Sequence, residues 1–504
     1  MLLPLICLAL AIGSAVSADD LIREHGKYSG AYQSDWATLP TGRELARRDL
    51  EGIEFEQVAG EDARQTFVDQ EQVVLSGARL KVHWAKPECD KYKHTLYFFR
   101  NCKFVRIEDM LVIQADPDWR ASSTFFFESC DRVELRNCYL AGTCGRAFIR
   151  IEGSREYFVD RVEIAGVDYG GEHAGFRCGA GIFVNNGAGW DEAKKQPGAI
   201  HAPAPANLEW GVIQNSYFHD YELTDPIFNH DAILFHAPAD GIVFNCYFSN
   251  WEADSALDDS HRRNDAAYHN HLHRIERNVF ERCHRVKTDG ARGSPSCTII
   301  WANNLYLDSH LADYHLGWPN WHLHETFVYR NHRPAYFLVM HCREGPTLFR
   351  NCLLHAPRTV RYMYETMGDT PNQDISMIQP DHFLYFMPPP VNWLHARSAN
   401  SVEIETWEQW RAAGHDPGST MMDAAPGFVG APGTDADGTV TDAEPGFAAA
   451  AGHDFRLLAD SPAAGAGSAE VLTAAGLRPA ITRDFFGCPR PNPPSCGAFE
   501  VAVD

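Results

Sequence analysis

Short stretches of alternating apolar and polar residues recur along most of this chain. "AFIRIEG", "GIFVNNG", "DAILFHA" and "GIVFNCYF" all alternate with a period of two, and Asn, Gly or Asp stands at their ends. Alternation of that kind predicts short, partly buried strands. No helix-period pattern lies between them.

A repeated phrase organises these strands: an apolar or charged lead, then Asn-Cys or Asn-x, then an aromatic or aliphatic pair. It reads "FFRNCKF" at 98–104, "VELRNCYL" at 133–140, "VIQNSYF" at 212–218, "IVFNCYF" at 242–248 and "IERNVF" at 275–280. It returns as "IIWANNLYL" at 299–307, "FVYRN" at 327–331 and "LFRNCLL" at 348–354. Asparagines 215, 245, 278, 304, 331 and 351 are 20 to 33 residues apart, a period that means stacked repeats. Two or three short strands per turn describe an all-β, right-handed parallel β-helix, each coil pairing with its neighbours about 4.8 Å away. One asparagine ladder then closes a turn of every coil, with the following Cys and Phe stacked inward. Cys102, Cys138, Cys246, Cys283 and Cys352 are thereby explained as small core residues.

A solenoid needs capped ends. Residues 19–60 are charged and partly helix-like and are expected to form an N-terminal cap, with the β-helix spanning 61–400. Residues 187–210 are polar and rich in Pro and Ala, which suits a loop inserted between coils. From 401 the composition changes. A short helix pattern surrounds Trp407 and Trp410, and 401–504 is expected to pack on the solenoid as a C-terminal cap and tail. Its phrases "DFRLLADSPAAGAG" and "GAFE" resemble the closing segment of many bacterial right-handed β-helix proteins, carbohydrate-active ones among them.

Composition narrows the functional classes. A hydrophobic content of 45% with 12% aromatic residues suits a folded globular chain. The net charge of -23 argues against nucleic acid or an anionic membrane as the main partner. Residues 1–18 end in a small-residue motif and read as a cleaved secretory leader, and no later run is long enough for a membrane span. The expected location is therefore secreted or periplasmic. No CxxC pair suggests a zinc site, and Cys488 and Cys496 are the best disulfide candidates.

The densest chemistry is "DSALDDSHRRND" at 254–265, with four aspartates, one histidine and two arginines. Asp258 follows Asp231 by 27 residues and precedes Lys287 by 29. Each interval is one coil, so Asp231, Asp258 and Lys287 are expected along one line on one face, with Asp254 on the same coil as Asp258. Such carboxylates need a counter-charge or a proton. Calcium, a general acid–base pair and pairing with nearby arginines all answer that need. Carboxylates one coil apart suit a retaining glycoside hydrolase, and a wider pair such as Asp231 with Asp289 an inverting one.

The cluster resembles the calcium-dependent β-helix polysaccharide lyases of the pectate lyase group that use a lysine base. There one Asp is followed, about a coil later, by a D-D-G-W-D phrase. Here Asp231 and the acids of "DSALD" match, with Ser255 in place of the second acid and Asp259 available to compensate. The resemblance implies calcium on Asp231, Asp254, Asp258 and Asp259. It also implies Lys287 as the base of a β-elimination on a uronic acid, with Arg285 or Arg292 on the substrate carboxylate.

Residues 261–292 hold eight Lys and Arg against four Asp and Glu, with five histidines. This basic stretch in an acidic chain suggests an anionic polysaccharide ligand, bound by His261, Arg262 and Arg263. Trp318 and Trp321 are candidate sugar platforms. His269, His271 and His273 alternate and would share one face of a strand. The expected activity is cleavage of an acidic polysaccharide by elimination. A glycoside hydrolase and a non-catalytic carbohydrate-binding or adhesion solenoid are the rivals.

Overall fold

The computed structural model describes residues 50–84, 95–115, 123–142, 147–165, 179–185, 210–221, 230–236, 240–251, 255–259, 272–288, 298–313, 320–329, 336–340, 347–357, 360–366, 378–388, 392–396, 403–423, 425–426, 428, 455–469 and 481–501. The chain winds as a right-handed parallel β-helix. Each early coil lays one strand in each of three sheets, of eight, eleven and thirteen strands. Thr95–Arg100, Phe104–Glu108 and Leu111–Gln114 make one such coil, and Ser123–Glu128, Arg132–Arg136 and Tyr139–Gly142 the next. Every ladder between these strands is parallel. In the later coils a four-stranded sheet succeeds the eight-stranded one, starting at Leu311–Asp313. The Val286 N–H joins the two by donating to His310 O at 2.8 Å.

Six of the eight copies of the repeated phrase mark the sharp corner between the eleven- and thirteen-stranded sheets, whereas "FFRNCKF" marks the corner between the eight- and eleven-stranded ones. One residue per coil turns there in the left-handed region, including Asn137 (φ 51°), Asn215 (49°), Asn245 (49°), Arg277 (57°), Asn303 (57°) and Asn351 (54°). Asn tolerates that conformation better than most residues. The next residue points inward, giving a row that includes Cys138, Cys246, Asn278, Asn304, Glu325 and Cys352.

Instead of the one ladder expected, the asparagines therefore form two. At the left-handed position, Asn245 Nδ2 donates to Asn215 Oδ1 at 2.7 Å. One position later, Asn278 Oδ1 accepts from Cys246 N and Asn304 Oδ1 from Asn278 N, each at 2.8 Å. Asn331 lies outside the described residues. Beside the corner, Phe218, Phe248, Phe280, Tyr306 and Phe327 stack with centroids 4.4 to 5.3 Å apart. The five cysteines expected in the core are buried free thiols.

Strand Glu56–Ala59, at the end of the 19–60 range, pairs with Arg79–His83 of the first coil. Helix Trp407–Ala412 begins at a Thr406 capping box and stacks Trp410 on Tyr364 at 5.0 Å. Beyond it, Phe428, Phe455, Leu457 and Phe499 form one cluster with Val279, Leu305 and Leu353 on the outside of the thirteen-stranded sheet. Arg490 fastens this tail by donating to Glu500, to Asn303 Oδ1 and to the carbonyls of Gly497 and Ala498. Cys488 and Cys496 are not joined: Cys488 is exposed, while Cys496 is buried with its thiol 3.3 Å from His382 O. No helix among the described residues is long and apolar enough to cross a membrane.

Candidate functional site

Strand His230–His236 separates inside from outside on the eight-stranded sheet. Ala232, Ile233 and Phe235 belong to the main core. Leu234 instead joins Ala147, Ala180 and Phe183 in a separate apolar cluster on the outer face. In a parallel ladder, paired residues share a face. Asp231 pairs with Ala180 and Asp258 with Leu234, so both aspartates stand on the outer face. Both are almost inaccessible, at 0% and 1% exposure.

Two rows cross this face. In one, Asp231 lies beside Ser255, with Ala232 N donating to Ser255 O at 3.1 Å, and Ser255 beside Arg285, with Ala256 N donating to Arg285 O at 2.9 Å. In the other, Phe183, Leu234, Asp258 and Thr288 follow one another. The Ser255 hydroxyl donates to Asp231 Oδ1 at 2.5 Å. A carboxylate withdrawn from water needs such donors. Ser255, which stands where the pectate lyase phrase carries its second acid, is one of them.

The expected single line of Asp231, Asp258 and Lys287 is not formed. The coil partner of Asp231 is Ser255, 24 positions on, and Asp258 comes three positions later. The partner of Asp258 is Thr288, and Lys287 falls one position short of it. A slip of one residue turns a side chain to the other face. Lys287 pairs with core residue Leu257 and points into the lumen at 1% exposure. Its Nζ donates to Asn320 Oδ1 at 2.5 Å and lies 5.7 Å from the centroid of the buried Trp301 ring.

Other candidates are dispersed. Arg285 shares the row of Asp231. Trp321 packs with Ile300 and Leu323 against the eleven-stranded sheet, away from the aspartates. His273 sits in strand Leu272–Glu276 next to Gly241 and Ile299, with its ring 5.0 Å from that of Phe235. The shared strand face expected for the three alternating histidines falls on residues of which only His273 is described.

The basic stretch is largely internal among the described residues. Arg274 pairs with Glu276 at 2.7 Å, Arg277 is buried, and Lys287 faces the lumen. Asp254, His261, Arg262, Arg263, His269, His271, Asp289, Arg292 and Trp318 lie outside the described residues, as does the side chain of Asp259. Among the described residues no group of three or more His, Cys, Asp or Glu is placed to hold a metal ion. Asp231 and Asp258 give two carboxylates toward the six to eight oxygens calcium takes.

A second polar array escaped the sequence reading. On the outer face of the thirteen-stranded sheet, Tyr217 pairs with Glu163 and Tyr247, and His219 with Ser249, which pairs with Glu281. His219 Nε2 lies 2.9 Å from Glu163 Oε1 and its Nδ1 3.1 Å from Asp220 Oδ2. Its ring stacks on Tyr217 at 4.1 Å, and the Tyr217 hydroxyl meets Ser249 Oγ at 2.9 Å. The Tyr247 hydroxyl donates to Glu281, and burial followed by that carboxylate pushes its pKa well above the ordinary tyrosine value. The signal was available in "NSYFHDY", "NCYFSNW" and "NVFERC", where His219, Ser249 and Glu281 follow the repeated phrase at one offset.

No protein-family model matches the chain, and no curated protein is significantly similar to it. The fold is thus established by the coil ladders themselves, and the pectate lyase resemblance rests on the quoted phrases.

Proposed function

We propose that this chain is an exported carbohydrate-active enzyme that cleaves an acidic polysaccharide, with Asp231 and Asp258 as its acid–base pair. One observation carries the reading: two buried aspartates share the outer face of one sheet on adjacent coils, with Arg285 in the row of Asp231. Three residues span about 10 Å along a strand and one coil adds about 4.8 Å across it. The two backbone positions are therefore about 11 Å apart, nearer the roughly 6.5–9.5 Å carboxylate spacing of inverting hydrolases than the roughly 5 Å of retaining ones.

The neighbours divide the roles. A hydrogen bond donated to a carboxylate favours its charged form, so Asp231, held by Ser255, is the base that takes a proton from the attacking water. Asp258, between Leu234 and Thr288 in its row, is then the acid that donates to the leaving glycosidic oxygen. Arg285 offers a paired donor for a substrate carboxylate. With Lys287 turned into the lumen, a lysine-driven elimination loses support from this geometry.

The test is digestion of a panel of acidic polysaccharides, followed by reducing ends and by ultraviolet absorbance, with and without a calcium chelator. Hydrolysis gives new reducing ends without absorbance, lost in both Asp231→Asn and Asp258→Asn. An absorbance rise abolished by chelation would restore the calcium-dependent elimination reading. Binding without cleavage by the wild type would leave a carbohydrate-binding solenoid.

A further inference from the structure

Most buried cysteines of the solenoid have unlike neighbours in the coils above and below. Cys246 lies between Ser216 and Asn278, and Cys283 between Trp251 and Ser309, as the backbone bonds along each row show. Cys102 and Cys130 differ. Asp131 N donates to Cys102 O at 2.9 Å and Arg155 N to Cys130 O at 2.8 Å. Those bonds place the two cysteines at the same corner, between the eight- and eleven-stranded sheets, in consecutive coils. Ser154 takes the same place one coil later, its Oγ accepting from Cys130 N at 3.1 Å.

Paired Cα atoms one coil apart are about 4.8 Å from each other, and disulfides span Cα separations of about 4.4–6.8 Å. Both thiols are free and buried in this structure, and they are oriented alike. Cys102 Sγ lies 3.5 Å from Arg100 O, and Cys130 Sγ 3.7 Å from Glu128 O. We propose that Cys102 and Cys130 form a redox site, closing a disulfide that clamps the second coil of the solenoid to the third.

The two thiols are chemically unequal. A hydrogen bond from the Cys130 thiol, aided by backbone groups of Gln70 and Arg100 against the opposing effect of burial, brings the Cys102 pKa down to about 6. The Cys130 thiol is driven up by the same bond and by burial. Cys102 is therefore the thiolate that attacks first. With a small disulfide RSSR, its sulfur bonds to one RS group and expels the other as a thiolate. Cys130 sulfur then attacks Cys102 sulfur and expels the second. The protons of the two protein thiols end on the two RSH molecules, so one disulfide is reduced for each one formed. Access comes from the end of the stack: among the described residues a single full coil precedes Cys102, and it carries the exposed Val68 and Val74. Terminal repeats of a solenoid open most easily.

The experiment equilibrates the full chain in glutathione buffers of graded ratio, quenches with acid, alkylates in denaturant and maps the peptides by mass. The expected result is a crosslinked pair holding residues 102 and 130, with the other solenoid cysteines alkylated. In Cys130→Ser, which places at this corner the residue type already found at 154, Cys102 is expected to end as a glutathione adduct. In Cys102→Ser, Cys130 is expected to stay unmodified. Two free thiols at every ratio, a lasting glutathione adduct on wild-type Cys102, or a crosslink to any other cysteine overturns the proposal.

Discussion

The Ser255 hydroxyl donates a hydrogen bond to Asp231 Oδ1 across one coil step, at 2.5 Å. Neither residue is within twenty positions of the other, and the bond exists because the coil between them is 24 residues long rather than 27. If Asp231 is the base, removing this donor makes its charged form harder to keep. Ser255→Ala is expected to cut kcat by roughly tenfold or more, the value of a hydrogen bond to a charged group. The acid limb of the pH profile should move to higher pH. Asp231→Asn should cost about 10²–10⁴-fold. A Ser255→Ala enzyme with an unmoved acid limb would remove Asp231 from the base role.

Lys287 should behave as a core residue. Its aliphatic stem is buried and its ammonium is bound to Asn320. Lys287→Ala is expected to destabilise the protein by about 2–5 kcal/mol, the range for emptying a buried long side chain. Lys287→Met keeps most of the volume and should cost less. Urea unfolding of both variants, read beside their specific activity, separates this from catalysis. A Lys287→Ala protein of wild-type stability with no activity would return the lysine to the chemistry.

The aromatic ladder predicts a large loss at its middle. Phe248 stacks on Phe218 and Phe280 at 4.9 Å on each side and is fully buried. Phe248→Ala is expected to cost about 3–5 kcal/mol, measured as a shift of the denaturation midpoint with an unchanged slope.

The C-terminal cap carries a pH dependence. Asp416 accepts hydrogen bonds from Tyr385 at 2.8 Å, Trp410 at 3.0 Å and Ser419, yet burial outweighs them and pushes its pKa from 3.8 to about 6. An acid whose pKa is higher in the folded protein binds its proton more tightly there. Stability from this group therefore falls as pH rises from about 3.8 to about 6 and is constant above. At 1.36 kcal/mol per pH unit the full effect is about 3 kcal/mol. Asp416→Asn should flatten that part of the stability profile, which urea midpoints at pH 4 and pH 7 would show directly.

The solenoid was legible in the sequence because a coil's backbone pairing forces like residues into like positions. The repeated Asn-Cys and Asn-x phrases, with the aromatic residues that follow them, reported the corner and the aromatic stack, and the buried cysteines followed as the residues just past the turn. The face on which a residue sits was a different matter. It depends on the exact length of each coil, and loops of unequal length break the count: Lys287, one position short of the partner of Asp258, turned inward for that reason alone. Asp231 found Ser255, and not Asp258, through the same arithmetic. The polar array of Glu163, Tyr217, His219, Ser249 and Glu281 was spelled out in the repeats but became a contact only when the coils were laid in register. Sequence determined that the coils exist, and tertiary register decided which side chains meet, because in a strand a shift of one residue exchanges the inside for the outside.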